Sequence, residues 1–129
     1  ELVRNSDIIC TTTPSTTPVL PDDKDLLRGK CIIAIGSYMP EMREIPDAVL
    51  ELVDNVYIEL PYACEESGDL SQPLASGKLT KDRVKLMHEY LASGDAEIKE
   101  GQTTYFKSVG MGLFDVCIAQ KLYEVAKEK

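Results

Sequence analysis

The chain has 129 residues, 43% of them apolar, a formal charge of −8 and a sequence pI near 4.6. That length suits one modest domain of about 100–150 residues with enough apolar side chains for a packed core. The acidic balance repels phosphate backbones, so nucleic acid is not an expected partner, and no apolar run approaches the roughly 20 residues of a membrane span, so a membrane is not one either.

Asp7 to Thr13 is apolar and β-branched without strict alternation, the pattern of a strand covered on both faces in a parallel sheet. A domain rarely begins so close to a core strand, so an amino-terminal portion upstream of Glu1 is expected. Pro14 and Pro18 stop the strand, because proline removes donors and restricts the residue before it. Pro21 to Arg28 suits a short helix ended by Gly29. Cys31 to Ile35 reads as a second buried strand, running to Gly36. Ile45, Val49, Leu52 and Val53 have helical spacing, and Val56 to Leu60 reads as a third strand closed by Pro61.

The polar stretch from Cys64 to Lys78, with Gly68, Pro73 and Gly77, is the longest candidate for irregular structure. Thr80 is expected to cap a helix to about Ser93, with Val84, Met87 and Leu91 on one face and Gly94 as its stop. Thr103 to Val109 is strand-like or extended. A last helix from about Gly110 to Lys127 carries one stripe of Phe114, Cys117, Ile118, Leu122 and Val125, and a narrower one of Ala119, Tyr123 and Ala126. Strands alternating with helices predict an α/β fold with parallel strands near 7–13, 31–36 and 55–60 in one sheet, covered by helices on both faces.

In open α/β sheets ligands bind beyond the carboxyl ends of the strands. Two loops meet that rule, Thr11 to Thr17 and Gly36 to Arg43, both rich in small or hydroxyl residues that let a ligand approach the backbone. A third candidate is Lys107-Ser108-Val109-Gly110-Met111-Gly112, where Ser108 could cap the last helix and free N–H groups would attract an anion. Its G-x-G lacks the second half of a dinucleotide fingerprint, and a plain helix cap is the simpler reading. His88, the one histidine, has no cysteine, serine or metal-type cluster beside it. Glu65, Glu66 and Asp69 read as a solvated acidic turn, without the oxygen-ligand spacing of a metal site. Asp115 suits the first turn of the last helix, where a carboxylate complements the dipole. Cys10, Cys31, Cys64 and Cys117 are not paired at metal or redox spacing, and read as small core hydrophobes in a reducing, cytoplasmic compartment.

Taken in order, four of these segments resemble the ornithine cyclodeaminase and mu-crystallin family. They are Asp7 to Leu20 (DIICTTTPSTTPVL), Ala34 to Glu44 (AIGSYMPEMRE), Glu66 to Leu70 with Leu74 to Gly77 (a G-D-L…G element), and Thr103 to Met111 followed by Asp115 and Ala119. The resemblance implies the second half of a Rossmann-type parallel sheet with flanking helices. Residues 1–100 would be the carboxy-terminal half of the NAD(P)-binding domain. Residues 101–129 would be an extended segment and a helix returning to a substrate and dimerisation domain. The glycine-rich loop, the acidic ribose-binding residue and the amino-terminal substrate-binding residues would lie upstream, outside this sequence.

For the site, the resemblance implies that Thr13 and its neighbours approach the cofactor's ribose and nicotinamide side. Ile35, Gly36, Ser37 and Tyr38 would line the nicotinamide, Ser108 would contact its amide region, and Val109 or Gly110 would face the substrate. Cyclodeaminases of the family place an aspartate, which activates water, at the position of Tyr38. A phenol, with an ordinary pKa of about 10, is no carboxylate base at neutral pH. The expectation is therefore an NAD- or NADP-dependent oxidoreductase acting on a small amino acid, imine or ketimine, as a homodimer when intact and inactive as these 129 residues alone. Two alternatives stay open: a cyclodeaminase-type lyase that uses NAD transiently, and a ligand-binding protein on an enzyme fold.

Overall fold

A computed structural model describes residues 1–94 and 99–127. Five strands form one parallel sheet in the order β1-β2-β5-β3-β4: β1 Ile8–Thr11, β2 Cys31–Ala34, β3 Val56–Ile58, β4 Val84–Leu86 and β5 Thr104–Lys107. The three expected strands are present, parallel and in one sheet. The extended segment near residue 104 is not an appendage: β5 lies between β2 and β3, so residues 104–107 belong to the sheet although they follow residue 100.

Register explains the core. Ile9, Ile32, Tyr105 and Val56 lie side by side across the sheet, and Thr11, Ala34, Lys107 and Ile58 form the next row on the same face. All eight are buried, because the helices α1 (Lys24–Leu27), α2 (Asp47–Leu52), α3 (Ala63–Glu66) and α4 (Gly68–Ser76) supply Leu27, Val49, Leu50, Ala63 and Leu70 to the same apolar cluster. Asp23 caps α1 through the N–H groups of Asp25 (3.0 Å) and Leu26 (3.3 Å). Arg83 closes α2 by donating to the carbonyls of Leu50 and Val53, both at 2.6 Å, groups that a helix end leaves without partners.

Helices flank both faces, as expected, but on the second the helix α5 (Met87–Ser93) leaves much of the sheet uncovered. On that face Cys10 is exposed and Ile8 is 66% exposed, while Cys31, Ile33, Tyr57 and Phe106 are only half-buried. There α5 leans over the sheet, its Tyr90 ring 4.6 Å from that of Tyr57. The expectation of four core cysteines holds only in part: Cys10, on the open sheet face, and Cys117, on the last helix, are exposed, while Cys31 and Cys64 are partly buried and Cys64 packs against the core.

Two elements differ from the sequence pattern. The helix expected from Thr80 begins at Met87, and Val84–Leu86 form the edge strand β4 beside β3. Residues spaced like Val84, Met87 and Leu91 fit either element, and pairing with β3 decides for the strand. The stretch from Cys64 to Lys78 is mostly helix, not loop. Ser67 caps α4 by accepting from Asp69 N at 3.2 Å, and Leu70 and Leu74 turn inward, which polar composition concealed.

The last helix, α6 (Gly112–Lys127), is exposed along its length, showing Leu113, Phe114, Val116, Ile118, Leu122 and Tyr123 to solvent. Among the described residues, strand β1 pairs with β2 alone. A bare strand edge and an apolar helix both favour association. These 129 residues alone are therefore expected to self-associate in sedimentation velocity; a monodisperse monomer at every concentration would contradict that. No helix among the described residues is long and apolar enough to cross a membrane.

Candidate functional site at the carboxyl ends of the strands

The carboxyl ends of β1, β2, β5 and β3 stand in a row, and the segments that leave them are tied together by buried carboxylates. Glu44 is the first. Its Oε2 accepts from Thr11 Oγ1 and from Gly36 N, both at 2.8 Å, and its Oε1 accepts from Thr13 N at 2.5 Å. One side chain thus joins the segments that follow β1 and β2. The backbone around it repeats the tie: Arg43 N donates to Ser15 O (2.7 Å) and Val19 N to Glu44 O (2.8 Å). Gly36 must be glycine here, because a Cβ would collide with the backbone N and O of Thr13.

Asp69, at the start of α4, holds Glu44 from behind. Its Oδ1 accepts from Glu44 N (2.8 Å) and Ile45 N (2.9 Å). Gly68 beside it allows α4 to begin against the loop, since a Cβ there would collide with the carbonyls of Met42 and Pro40. The acidic turn expected at Glu65, Glu66 and Asp69 is therefore split: the two glutamates face solvent and the aspartate is buried.

Asp69 Oδ2 lies 3.8 Å from Nζ of Lys107, and both side chains are fully buried. Lys107 Nζ also donates to Ala34 O at 3.3 Å, at the end of β2. Burial pushes the Lys107 ammonium below the usual lysine range, against the pull of Asp69, Glu44 and Glu59. Burial likewise pushes the Asp69 carboxyl up, against two backbone N–H groups and Lys107. Both shifts have one cause: desolvation outweighs the attraction of a pair 3.8 Å apart.

Glu59 is the third carboxylate. Its Oε1 accepts from Ser108 Oγ (2.9 Å), Val109 N (2.6 Å) and Gly110 N (3.1 Å). The N–H groups before α6, which might otherwise draw an external anion, are filled by the chain's own carboxylate.

The structure brings Thr13 and Gly36 into contact, with Glu44 behind both. It sets Ser108 beside the end of β2, its N donating to Ala34 O at 3.0 Å. Ile35 and Tyr38 are 41% and 54% exposed. Ser37 is buried, its hydroxyl donating to Met42 O (2.8 Å) and lying 2.9 Å from Ser67 Oγ, so only its backbone is left for a ligand. Val109 and Gly110 turn their N–H groups inward to Glu59. Thr12, Thr16 and Thr17 are exposed at the same end. Hydroxyls, backbone and the apolar side chain of Ile35 thus share one surface beyond the strand ends.

Sequence reasoning gave no role to Glu44, Glu59, Lys107 or Tyr62, and placed Asp69 in solvent. The available signal was a charged residue at an inward strand position: Lys107 alternates with Tyr105 on the buried face. His88 and Asp115 are exposed, and no cluster among the described residues could hold a metal ion. A hollow of about 530 Å³ lies on the uncovered sheet face, lined by Cys31, Ile33, Tyr57, Met87, Tyr90 and Phe106 among others, and it contains none of the expected site residues.

The family model described as "Ornithine cyclodeaminase/mu-crystallin family" matches residues 1–129. A Δ(1)-pyrroline-2-carboxylate reductase of Bacillus cereus is 36% identical over the whole of this chain and 40% of its own length. The ketimine reductase mu-crystallin of Rattus norvegicus is 31% identical over 96% of this chain and 37% of its own. Among solved structures, a probable ornithine cyclodeaminase from Bordetella pertussis superposes with a TM-score of 0.79 at 31% identity, over 99% of this chain and 42% of the other. The chain thus spans about 40% of the length of the Bacillus relative. With a match along all of its residues and a shared parallel α/β fold, the chain belongs to the ornithine cyclodeaminase/mu-crystallin family.

Proposed function

We propose that this chain is the nicotinamide-side half of an NAD(P)-dependent oxidoreductase that reduces a small imine or ketimine to an amino acid. The observation that carries the reading is the row of carboxyl-end segments locked from behind by Glu44, Asp69 and Glu59. Such a frame holds a flat group in one place, which is the protein's part when the cofactor brings the reactive hydride. The names of the family relatives support the substrate class.

In this reading Thr13 and its neighbours meet the ribose and the nicotinamide side, and Ile35, Gly36, Ser37 and Tyr38 line the ring. Ile35 supplies an exposed apolar surface, and Gly36 keeps the backbone low. The Ser108 hydroxyl donates a hydrogen bond to Glu59 and accepts one from Gly110 N, so it would meet the carboxamide as an acceptor. Val109 and Gly110 border the substrate. A homodimer and a cytoplasmic location belong to the same proposal, the second suiting four free thiols.

The test is turnover by the full-length protein with NADH and NADPH, given Δ(1)-pyrroline-2-carboxylate or ornithine. Oxidation of one nicotinamide per proline formed is expected from the cyclic imine. Ammonia from ornithine without net change in NADH would instead establish a lyase, and tight nucleotide binding with no turnover a binding protein.

Tyr38 bears on the lyase reading, because it stands exposed at the position where cyclodeaminases carry their aspartate. Tyr38→Asp in the full-length protein is expected to bring ammonia release from ornithine above the wild-type level, by about tenfold or more if the new carboxylate acts as a general base. Ammonia assays of both proteins check this. An unchanged rate would remove Tyr38 from the reacting end of the site.

A further inference from the structure

The turn that joins β5 to α6 is gripped on two sides by one neighbouring loop. On one side Glu59 Oε1 accepts from Ser108 Oγ, Val109 N and Gly110 N. On the other, Tyr62, three residues further along, donates its hydroxyl to Gly110 O at 3.0 Å. Both backbone polar groups of Gly110 are thereby committed to the loop that follows β3. Gly110 has φ +89°, a conformation that only glycine adopts without strain. Nothing lies within 4 Å of where its Cβ would stand, nor of that of Gly112.

A turn with two such glycines has little stiffness of its own, so its shape is imposed by Glu59 and Tyr62. The form of the glutamate's burial agrees with this. Its Oε2 is buried without a hydrogen-bond partner, a cost set against the three bonds its other oxygen makes. What the carboxylate adds is one oxygen able to take three donors at once.

We propose that Glu59 and Tyr62 are positioning residues for the reaction. By fixing the Ser108–Gly110 turn they set the distance between the bound imine and the nicotinamide ring, and they aim α6 as it leaves the sheet. The proposal deepens the reductase reading and rests on it. A misplacement of about 1 Å in such a site costs about 100-fold in rate, so the clamp acts on turnover more than on nucleotide affinity.

The experiment uses the full-length protein with Δ(1)-pyrroline-2-carboxylate and NADH, and compares wild type with Tyr62→Phe, Glu59→Ala and Glu59→Gln. NADH affinity, read by fluorescence, is expected to stay within about threefold, because the phosphates are held elsewhere. For Glu59→Ala, kcat is expected to fall by about 30-fold or more, with most of it restored in Glu59→Gln, which keeps an accepting oxygen. Tyr62→Phe removes one hydroxyl from an exposed ring and leaves folding untouched, so it carries the test if Glu59→Ala does not fold. Its kcat is expected to fall by about fivefold with NADH affinity unchanged. Faster amide exchange at Val109 and Gly110 in Tyr62→Phe and Glu59→Ala accompanies the loss. An active wild type whose Tyr62→Phe variant, and whose Glu59→Ala variant where it folds, keep kcat and KM with slow exchange retained overturns the clamp. A wild type that reduces no imine overturns the reductase reading, and the clamp's catalytic role with it.

Discussion

Gly36→Ala is expected to abolish nucleotide binding by the full-length protein and to destabilise its fold by about 3 kcal/mol or more, at the upper end for overpacking. The added Cβ would meet the backbone N and O of Thr13 and come within 2.7 Å of Glu44 Oε1. Backbone atoms have no rotamer to retreat into, so the segments after β1 and β2 must part. Parting them breaks the hydrogen bonds from Thr13 N and Gly36 N to Glu44. Charge-assisted bonds of this kind contribute about 1.5–3 kcal/mol each. Denaturant unfolding and NADH fluorescence titration measure the two losses. Wild-type affinity in a folded Ala variant would show that the contact between these segments is not needed for the cofactor.

Lys107→Met is expected to destabilise the protein by about 3–5 kcal/mol at neutral pH, as is usual when one partner of a buried ion pair is removed. The methionine fills the same space between Ala34 and Ile58, so lost packing contributes little. The cost is the charge left on Asp69, whose Oδ2 has no hydrogen bond. The variant therefore has a recognisable pH dependence. Burial already raises the Asp69 pKa above the ordinary carboxylate range, and removing Lys107 raises it further. A carboxyl raised in the folded state contributes stability at pH below its unfolded value, and loses it as pH rises through the folded value. The deficit of Lys107→Met should thus shrink as pH falls toward the ordinary carboxylate range. Lys107→Met with Asp69→Asn should recover most of the loss, because Asn keeps an oxygen for Glu44 N and Ile45 N. Urea unfolding across pH gives all of these values; a deficit independent of pH would mean that Asp69 is not the group left unpaired.

Much of this fold was legible from local pattern. The β-branched runs at Ile8–Thr11, Cys31–Ala34 and Val56–Ile58 declare buried parallel strands, and Gly29, Gly77 and Gly94 end helices with positive φ. What local pattern could not give was neighbourhood. The segment at Thr103 to Val109 read as strand-like, but its place in the sheet was hidden because its partners, Cys31–Ala34 and Val56–Ile58, are more than forty residues away in sequence. The edge strand β4 hid inside a helical spacing, and α4 hid inside polar composition. The loops of the candidate site were chosen correctly as carboxyl-end segments, yet the side chains that hold them could not be read. Glu44 and Glu59 look like ordinary surface charges until the fold delivers three donors to each. Lys107 becomes exceptional only once β5 is the sheet's central strand.

The most direct test of the account is a crystal structure of the full-length protein with NADH or NADPH bound. The nicotinamide ring is expected over the carboxyl ends of β1 and β2, against Thr13, Ile35 and Gly36, with its carboxamide reaching Ser108 and the pyrophosphate held by residues outside these 129. A nicotinamide seated in the hollow of the uncovered sheet face, among Ile33, Tyr57 and Tyr90, would contradict it.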